Sequence, residues 1–196
     1  MTTEICIIRH GQTDWNKRTL IQGTINNRLN ENGKEQARLI GEYLKNNDSN
    51  WDIIISSPLA RAYETASIIR EKINKDINLV ANVDFIEREF GEAEGQLIEP
   101  KLFNKIIADE IPGLEKSYEI QNRVYNGVLK LAKEYPGKRI LIVAHAHVIK
   151  GLLTKLDKKY SFNDEMINSA LNFFTVVDDK INIIAINQKV HLQANK

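Results

Sequence analysis

The residues best suited to chemistry in this sequence stand directly after its first apolar segment. Arg9 and His10 follow the run from Ile5 to Ile8. A neutral imidazole can attack phosphorus to give a phosphohistidine, because histidine is one of the side chains that form covalent intermediates. The guanidinium fork of an arginine matches the oxygens of a phosphate group. The pair therefore indicates phosphoryl-group chemistry with His10 as the nucleophile.

Polar side chains also follow two later apolar segments. They are Ser56, Ser57 and Arg61 after the second predicted strand, and His145 and His147 after the fourth. In an open parallel sheet, ligands bind beyond the carboxyl ends of the strands, so we expect these side chains to meet His10. Arg61 would add a second guanidinium group, and His145, when protonated, a third donor. Of the four histidines, only His191 lies away from a predicted strand end.

Transfer of a phosphoryl group from an ester also requires an acid. The leaving alkoxide needs a proton from a group whose pKa lies near the working pH. Glu87, at the start of the segment Glu87–Gly91, is the best-placed carboxyl group in the sequence. Glu89 and Glu94 are weaker alternatives for the same role.

The elements that must position these residues are strands alternating with helices. Buried strands are predicted near 5–8, 53–55 and 139–144 and a short strand over 79–81. Helices are predicted near 31–46, 59–73, 102–108, 119–134 and 148–156, and a closing hairpin over 171–177 and 181–186. This alternation predicts an α/β fold with a mostly parallel sheet. We expect a three-layer sandwich with helices on both faces, built as one domain over 1–196 with a small cap insertion at about 96–117.

The composition limits the classes of partner. Lys and Arg number 27 against 26 Asp and Glu, so the formal net charge is +1, which argues against a general nucleic-acid binder. A single cysteine, Cys6, cannot form an internal disulfide, and no stretch has the length of a membrane span. The start of the chain lacks the pattern of a secretion signal. We expect a cytoplasmic protein that acts on a small molecule and binds neither nucleic acid nor membrane.

Four segments of the sequence, in order, resemble the histidine phosphatase superfamily, also called phosphoglycerate-mutase-like. They are Arg9-His10-Gly11-Gln12-Thr13 with Trp15-Asn16, Ser57 to Ala62 with Thr65-Ala66, Glu87 to Gly91 with Glu94-Gly95, and Val143-Ala144-His145. The resemblance spans residues 4–156. One tripeptide such as Arg-His-Gly is a weak signal, but four ordered segments at predicted strand exits are a strong one.

The resemblance implies a role for each matching residue. His10 would be the phosphorylated nucleophile, and Glu87 the proton donor that later activates water. Arg9, Arg61 and His145 would bind and polarise the phosphoryl group. Further substrate contacts are assigned to Asn16, Thr13, Gln22, Gly23 and Ala146. Similar enzymes need no metal ion, and we expect no cofactor here.

The sequence also departs from the family's pattern. Ala146 stands where the family commonly has glycine, which changes how closely the backbone approaches the phosphate. Ala93 replaces a frequent aromatic residue, and 22–28 lacks the usual acidic residue and proline. The last two departures affect substrate preference rather than chemistry.

Several alternatives stay open on the sequence alone. Because the insertion at about 96–117 is short, we expect water to enter and favour a phosphatase over a cofactor-dependent phosphoglycerate mutase. A protein that binds phosphorylated ligands without turnover is a third alternative. His145 and His147 have a metal-ligand spacing that His10 would complete, although no further ligand follows closely. The substrate, the role of His147 and the oligomeric state, monomer or homodimer, are not determined.

Overall fold

Within residues 1–190, which the computed structural model describes, six strands form one central sheet; His191 lies outside the described residues. The strands are β1 (Thr3–Arg9), β2 (Ile53–Ser56), β3 (Asn78–Ala81), β4 (Arg139–Ala144), β5 (Leu171–Val177) and β6 (Lys180–Gln188). Their order across the sheet is β3-β2-β4-β1-β5-β6. β1, β2, β3 and β4 run parallel to one another, whereas β5 is antiparallel to both β1 and β6. The prediction of a mixed α/β fold with a mostly parallel sheet is confirmed.

The same part of the chain contains six α-helices. They are α1 (Asp14–Lys17), α2 (Glu31–Asn47), α3 (Ala60–Ile73), α4 (Pro100–Ile107), α5 (Ser117–Glu134) and α6 (Ala146–Leu156). Short 3₁₀ turns cover Val83–Phe85 and Gly91–Ala93. The sequence pattern did not predict α1, because four residues are too few to show a helical period. No helix of residues 1–190 has both the length and the apolar character needed to cross a membrane.

Helices cover both faces of the sheet, which explains why β1 is apolar at four successive positions, Ile5 to Ile8. Ile5 and Ile7 point into the core beneath α5 and α6, whereas Cys6 and Ile8 point into the core beneath α2 and α3. Burying one such isoleucine side chain is worth about 1.5–3 kcal/mol relative to exposure. A strand buried on both faces therefore carries apolar residues at successive positions.

The segment 96–117 lies over one end of the sheet. Its helix α4 contributes Ile106 to a small separate core, which also contains Ile21, Phe90, Ala93, Ile111 and Leu114. Two isolated bridges fasten this region to neighbouring loops, Leu20 with Leu97 and Phe90 with Leu114. The small core therefore ties the segment to the loops that follow β1 and β3.

Candidate active site

The sheet order brings the three predicted strand exits together. β1, β4 and β2 are adjacent and parallel, so the loops that follow them share one edge of the sheet. A cavity of about 230 Å³ opens there. Nine residues from the sequence argument line it: Arg9, His10, Asn16, Gln22, Gly23, Arg61, Glu87, Ala146 and His147.

His10 is held as a neutral imidazole with one defined tautomer. Its Nδ1–H donates to the Gly11 carbonyl oxygen at 2.7 Å, and its Nε2 accepts from Nε–H of Arg61 at 3.2 Å. The proton therefore lies on Nδ1 and the lone pair on Nε2. Burial, and then the charges of Arg61 and Arg9, hold the pKa of His10 well below its ordinary value.

Arg61 joins the histidine to the loop beyond α1. Its Nη2–H donates to the carbonyl oxygen of Gly23 and its Nη1–H to that of Ile25, each at 2.8 Å. The side chain is fully buried, and burial lowers its pKa to about 10, which leaves it a cation at neutral pH. One guanidinium group therefore fixes the position of His10 and of a cavity wall.

Arg9 brings a second, half-buried cation to the cavity. It donates from Nη1 to the carbonyl oxygen of Met166, and burial lowers its pKa to about 10. Its Nε is buried and has no hydrogen-bond partner among residues 1–190. An unsatisfied buried donor on a cation is favourably placed to bind an anion.

His145 contacts His10 but does not itself line the cavity. The two ring centroids are 5.1 Å apart in an edge-on arrangement, and Nε2 of His145 lies 2.8 Å from Oγ of Ser57. Burial, followed by the charge of Arg61, holds the pKa of His145 well below its ordinary value. This shift of the pKa favours the neutral imidazole, whereas the sequence expects a donor only from the protonated form.

Glu87 differs sharply from the other two glutamates considered as acids. It lines the cavity and is only 7% exposed, and burial raises its pKa against the opposing effects of the Arg88 N–H and of Arg61. The raised pKa of Glu87 favours the protonated form that an acid requires.

The two alternative glutamates do not line the cavity. Glu89 is exposed. Glu94 accepts hydrogen bonds from the backbone N–H groups of Thr24 at 2.9 Å and Phe90 at 3.2 Å, so it links two loops.

Thr13 is placed beneath the cavity rather than in its lining. The side chain is fully buried, caps α1 by accepting from the N–H of Asn16, and donates to Oε1 of Gln22 at 2.9 Å. The N–H of Thr13 donates in turn to Oδ1 of Asn16 at 3.1 Å. Both amide oxygens are thus engaged, which orients the NH₂ groups of Asn16 and Gln22 as donors for a ligand.

Nine of the residues that line the cavity were not predicted as site residues, and three of them are outside the small core and α4 and near the proposed chemistry. Lys150, Glu165 and Met166 line its walls together with side chains of the small core and of α4. Helical spacing could have revealed Lys150, because it lies three residues after His147 on α6 and so shares its face. Glu165 and Met166 lie in a loop without periodicity, and no sequence signal pointed to them.

His147 lines the cavity and packs between two aromatic rings. Its ring centroid is 4.8 Å from that of Phe90 and 5.2 Å from that of Phe162. His145 occupies the N-cap position of α6, and its side chain makes no capping hydrogen bond to that helix. In the described ranges, no three His, Cys, Asp or Glu side chains converge as a metal site would require.

Comparison with known proteins identifies relatives over nearly the whole chain. The sequence profile of the "Histidine phosphatase superfamily (branch 1)" matches residues 5–189. The "Uncharacterized phosphatase PhoE" of Bacillus subtilis is 39% identical over 97% of this chain and 97% of its own. A "2,3-bisphosphoglycerate-dependent phosphoglycerate mutase" of Parvibaculum lavamentivorans is 31% identical over 81% of each chain.

A solved structure is similar over its full length. A phosphoserine phosphatase mutant from Entamoeba histolytica, in complex with phosphoserine, superposes with a TM-score of 0.82 at 27% identity. The alignment covers 97% of this chain and 99% of that one. Phosphatases and a mutase are thus both among the similar proteins.

Proposed function

The chain belongs to the histidine phosphatase superfamily, and from this premise we propose that it hydrolyses small phosphate monoesters through a phosphohistidine at His10, without a metal ion. The observation that carries the proposal is the state of His10. Its Nε2 is unprotonated beside the buried guanidinium of Arg61, at the wall of a cavity that also holds Glu87. The lone pair and the anion-binding cations are therefore present before any substrate enters.

The first step transfers the phosphoryl group to the enzyme. Arg9 and Arg61 bind the phosphate oxygens, and Nε2 of His10 forms a bond to phosphorus as the ester P–O bond breaks. Glu87 gives its proton to the departing oxygen, so an alcohol leaves rather than an alkoxide. The products of this step are phosphohistidine, a free alcohol and ionised Glu87.

The second step returns the enzyme to its starting state. Ionised Glu87 takes a proton from water as the water oxygen attacks phosphorus, and the P–N bond breaks. Inorganic phosphate leaves, His10 is again neutral, and Glu87 is again protonated. No proton or electron is needed from another source, because the acid of the first step is regenerated as the base of the second.

His145 acts on the phosphoryl group rather than on the nucleophile. Its Nδ1 is buried and has no partner among the described side chains and backbone groups, whereas its Nε2 is held by Ser57. A phosphate dianion in the cavity adds negative charge, which favours the protonated imidazole. The substrate itself therefore converts His145 from the neutral form of the free enzyme to a donor.

Hydrolysis is favoured over transfer between two hydroxyl groups. The segment 96–117 contains one eight-residue helix, α4, and the cavity beneath it admits water to the phosphohistidine. The phosphatase named among the relatives is 39% identical over 97% of both chains, against 31% over 81% for the mutase. A cofactor-dependent phosphoglycerate mutase is the second candidate activity.

The test is a phosphate-release assay combined with chemical trapping. Purified protein should release inorganic phosphate from p-nitrophenyl phosphate and from a panel of alkyl phosphates, with no loss in EDTA. A ³²P-labelled substrate, quenched in alkali, should leave label on the wild type and none on His10→Ala. Rapid interconversion of 3- and 2-phosphoglycerate with negligible phosphate release would identify a mutase. Tight binding of phosphate esters without turnover would identify a binding protein.

A further inference from the structure

The ammonium group of Lys150 is a buried cation that the proposed reaction does not use. Lys150 lies on α6, one turn beyond His147, and lines the same cavity as His10 while being only 8% exposed. Its Nζ donates one hydrogen bond, to the carbonyl oxygen of Phe162 at 2.9 Å. It also lies 5.9 Å from the centre of the Phe103 ring. These contacts use one of its three N–H donors.

No carboxylate of residues 1–190 forms an ion pair with Lys150. Glu87, Asp164 and Glu165 are close enough to raise its pKa, but none of them pairs with it, and Asp164 accepts from the backbone N–H of Ser161 at 2.8 Å. Burial dominates and, with the charge of Arg9, lowers the pKa of Lys150 to about 8, so the ammonium remains protonated at neutral pH. Buried lysines are normally paired, because an uncompensated ammonium loses its hydration without recovering an equivalent interaction.

A buried cation outside the cavity lining shows the contrast. Arg88 is fully buried and forms an ion pair with Asp109. Lys150 instead lines the cavity with two N–H donors unused, and its neighbours in the lining are the apolar side chains of Ile98, Phe103, Ile106 and Met166 and the carboxylate of Glu165, which forms no ion pair with it. An anionic group on a ligand would supply the missing partner.

We propose that Lys150 binds a carboxylate on the organic part of the substrate, so that the preferred substrates are phosphate monoesters of small hydroxy acids, including hydroxy amino acids. The inference rests on the proposed function, because it assumes that the phosphate lies at His10, Arg9 and Arg61. A cavity of about 230 Å³ fits a molecule that carries both anionic groups on a short carbon chain. Arg9 and Arg61 bind one anion, and Lys150 the other.

Matched substrate pairs isolate the carboxylate. 3-Phosphoglycerate and glycerol 3-phosphate differ in a carboxylate against a hydroxymethyl group, and O-phosphoserine and O-phosphoethanolamine differ in the carboxylate alone. The wild type should prefer the carboxylated member of each pair by about 10- to 100-fold in kcat/KM, as expected for one charged hydrogen-bonded contact. Lys150→Met should bring both ratios close to one, and Lys150→Arg should retain part of the preference. Lys155→Met, an exposed lysine on the same helix, should leave the ratios unchanged.

The outcomes separate this inference from the function on which it rests. A wild-type ratio near one in both pairs would overturn the role of Lys150, and this measurement does not depend on whether any variant folds. An equal loss on both members of a pair in Lys150→Met would also overturn it, because a structural defect does not discriminate between them. If the wild type hydrolyses none of the four esters and no p-nitrophenyl phosphate, the proposed phosphatase activity itself is refuted.

Discussion

Arg61 and Gly23 are joined by a hydrogen bond of 2.8 Å from the guanidinium Nη2–H to the backbone carbonyl oxygen. The same side chain donates to Nε2 of His10, so the loop that follows α1 and the proposed nucleophile share a single anchor. A planar fork with donors in fixed directions can make these contacts at once, whereas an ammonium group on a flexible stem cannot.

Arg61→Lys keeps the positive charge, but it should still lose activity because the ammonium group cannot make all of these contacts. We expect kcat/KM for p-nitrophenyl phosphate to fall by about 10²- to 10³-fold, since contacts to both the phosphate and the loop are lost. Arg70→Lys is the matched control, because Arg70 lies on the same helix and does not line the cavity. Activity of Arg61→Lys within a few-fold of the wild type would contradict the shared-anchor role.

Gly23→Ala tests the loop side of this anchor. Gly23 has φ +52°, and a Cβ atom there would lie 1.8 Å from Oε1 of Glu94, whose carboxylate holds Thr24 and Phe90. Backbone strain of this kind costs about 1–3 kcal/mol, and the displaced loop should also raise KM several-fold. Gly137→Ala carries a similar strain, at φ +73°, but meets only ordinary contacts with Met1. It should lower the melting temperature and leave KM unchanged; a rise in KM there would refute the interpretation.

Three buried histidines should make stability depend on pH. The pKa values of His10, His145 and His147 are lowered by burial, so below about pH 6.5 the unfolded chain binds protons that the native state does not. Their contribution is thus fully present above pH 6.5 and is lost as the pH falls. The slope is about 1.4 kcal/mol per pH unit for each fully titrating histidine.

His147→Phe provides the measurement for this prediction. Phenylalanine keeps the aromatic packing between Phe90 and Phe162 but cannot bind a proton. Urea denaturation at pH 7.5, 6.5 and 5.5 should show a shallower fall in the free energy of unfolding for the variant. An identical slope in the two proteins would mean that His147 does not titrate differently in the native and unfolded states.

The sheet and its exits were predictable from sequence because each element carries its own local signal. The apolar runs of β1, β2 and β4 are buried on both faces, so they stand out without any knowledge of their partners. Asn30 is a favoured N-cap residue type directly before α2, and its side chain accepts from the N–H of Gly33. Ligand sites at the carboxyl ends of parallel strands then follow from topology alone.

The rest of the cavity depends on contacts between residues distant in sequence. Glu94 resembles Glu87 in type and neighbourhood, and only the fold shows that one links loops while the other faces the cavity. The charge state of His145 likewise follows from complete burial beside Arg61, which no local pattern reports. Glu165 reaches the wall from a loop whose course is set by the rest of the molecule.

Arg88→Met tests whether the buried arginine next to the acid positions it. Arg88 donates to the Glu115 carbonyl oxygen at 2.8 Å and pairs with Asp109, which fastens the Glu87 loop to the segment before α5. Removing one partner of a buried pair typically costs about 3–5 kcal/mol, and we expect the lower part of that range because Asp109 is partly exposed.

The readout for Arg88 combines stability with kinetics. Urea denaturation of Arg88→Met should show the lower free energy of unfolding. Its kcat should fall more than its KM rises, because the acid is displaced while the phosphate-binding arginines remain in place. Arg38→Met, which breaks exposed ion pairs on α2, should leave both the free energy of unfolding and kcat close to those of the wild type. Equal losses of stability in the two variants would show that Arg88 is not a special anchor.

Glu87→Gln should separate the two chemical steps through the choice of leaving group. p-Nitrophenolate leaves without a proton, so the first step should survive, whereas an alkyl ester needs the acid and should lose about 10²- to 10⁴-fold. The second step lacks its base with either substrate. Stopped-flow traces with p-nitrophenyl phosphate should therefore show a burst of nitrophenolate equal to the enzyme concentration, followed by slow turnover. Glu89→Gln, an exposed neighbour, should behave as the wild type. Equal losses on aryl and alkyl esters, without a burst, would place the acid elsewhere.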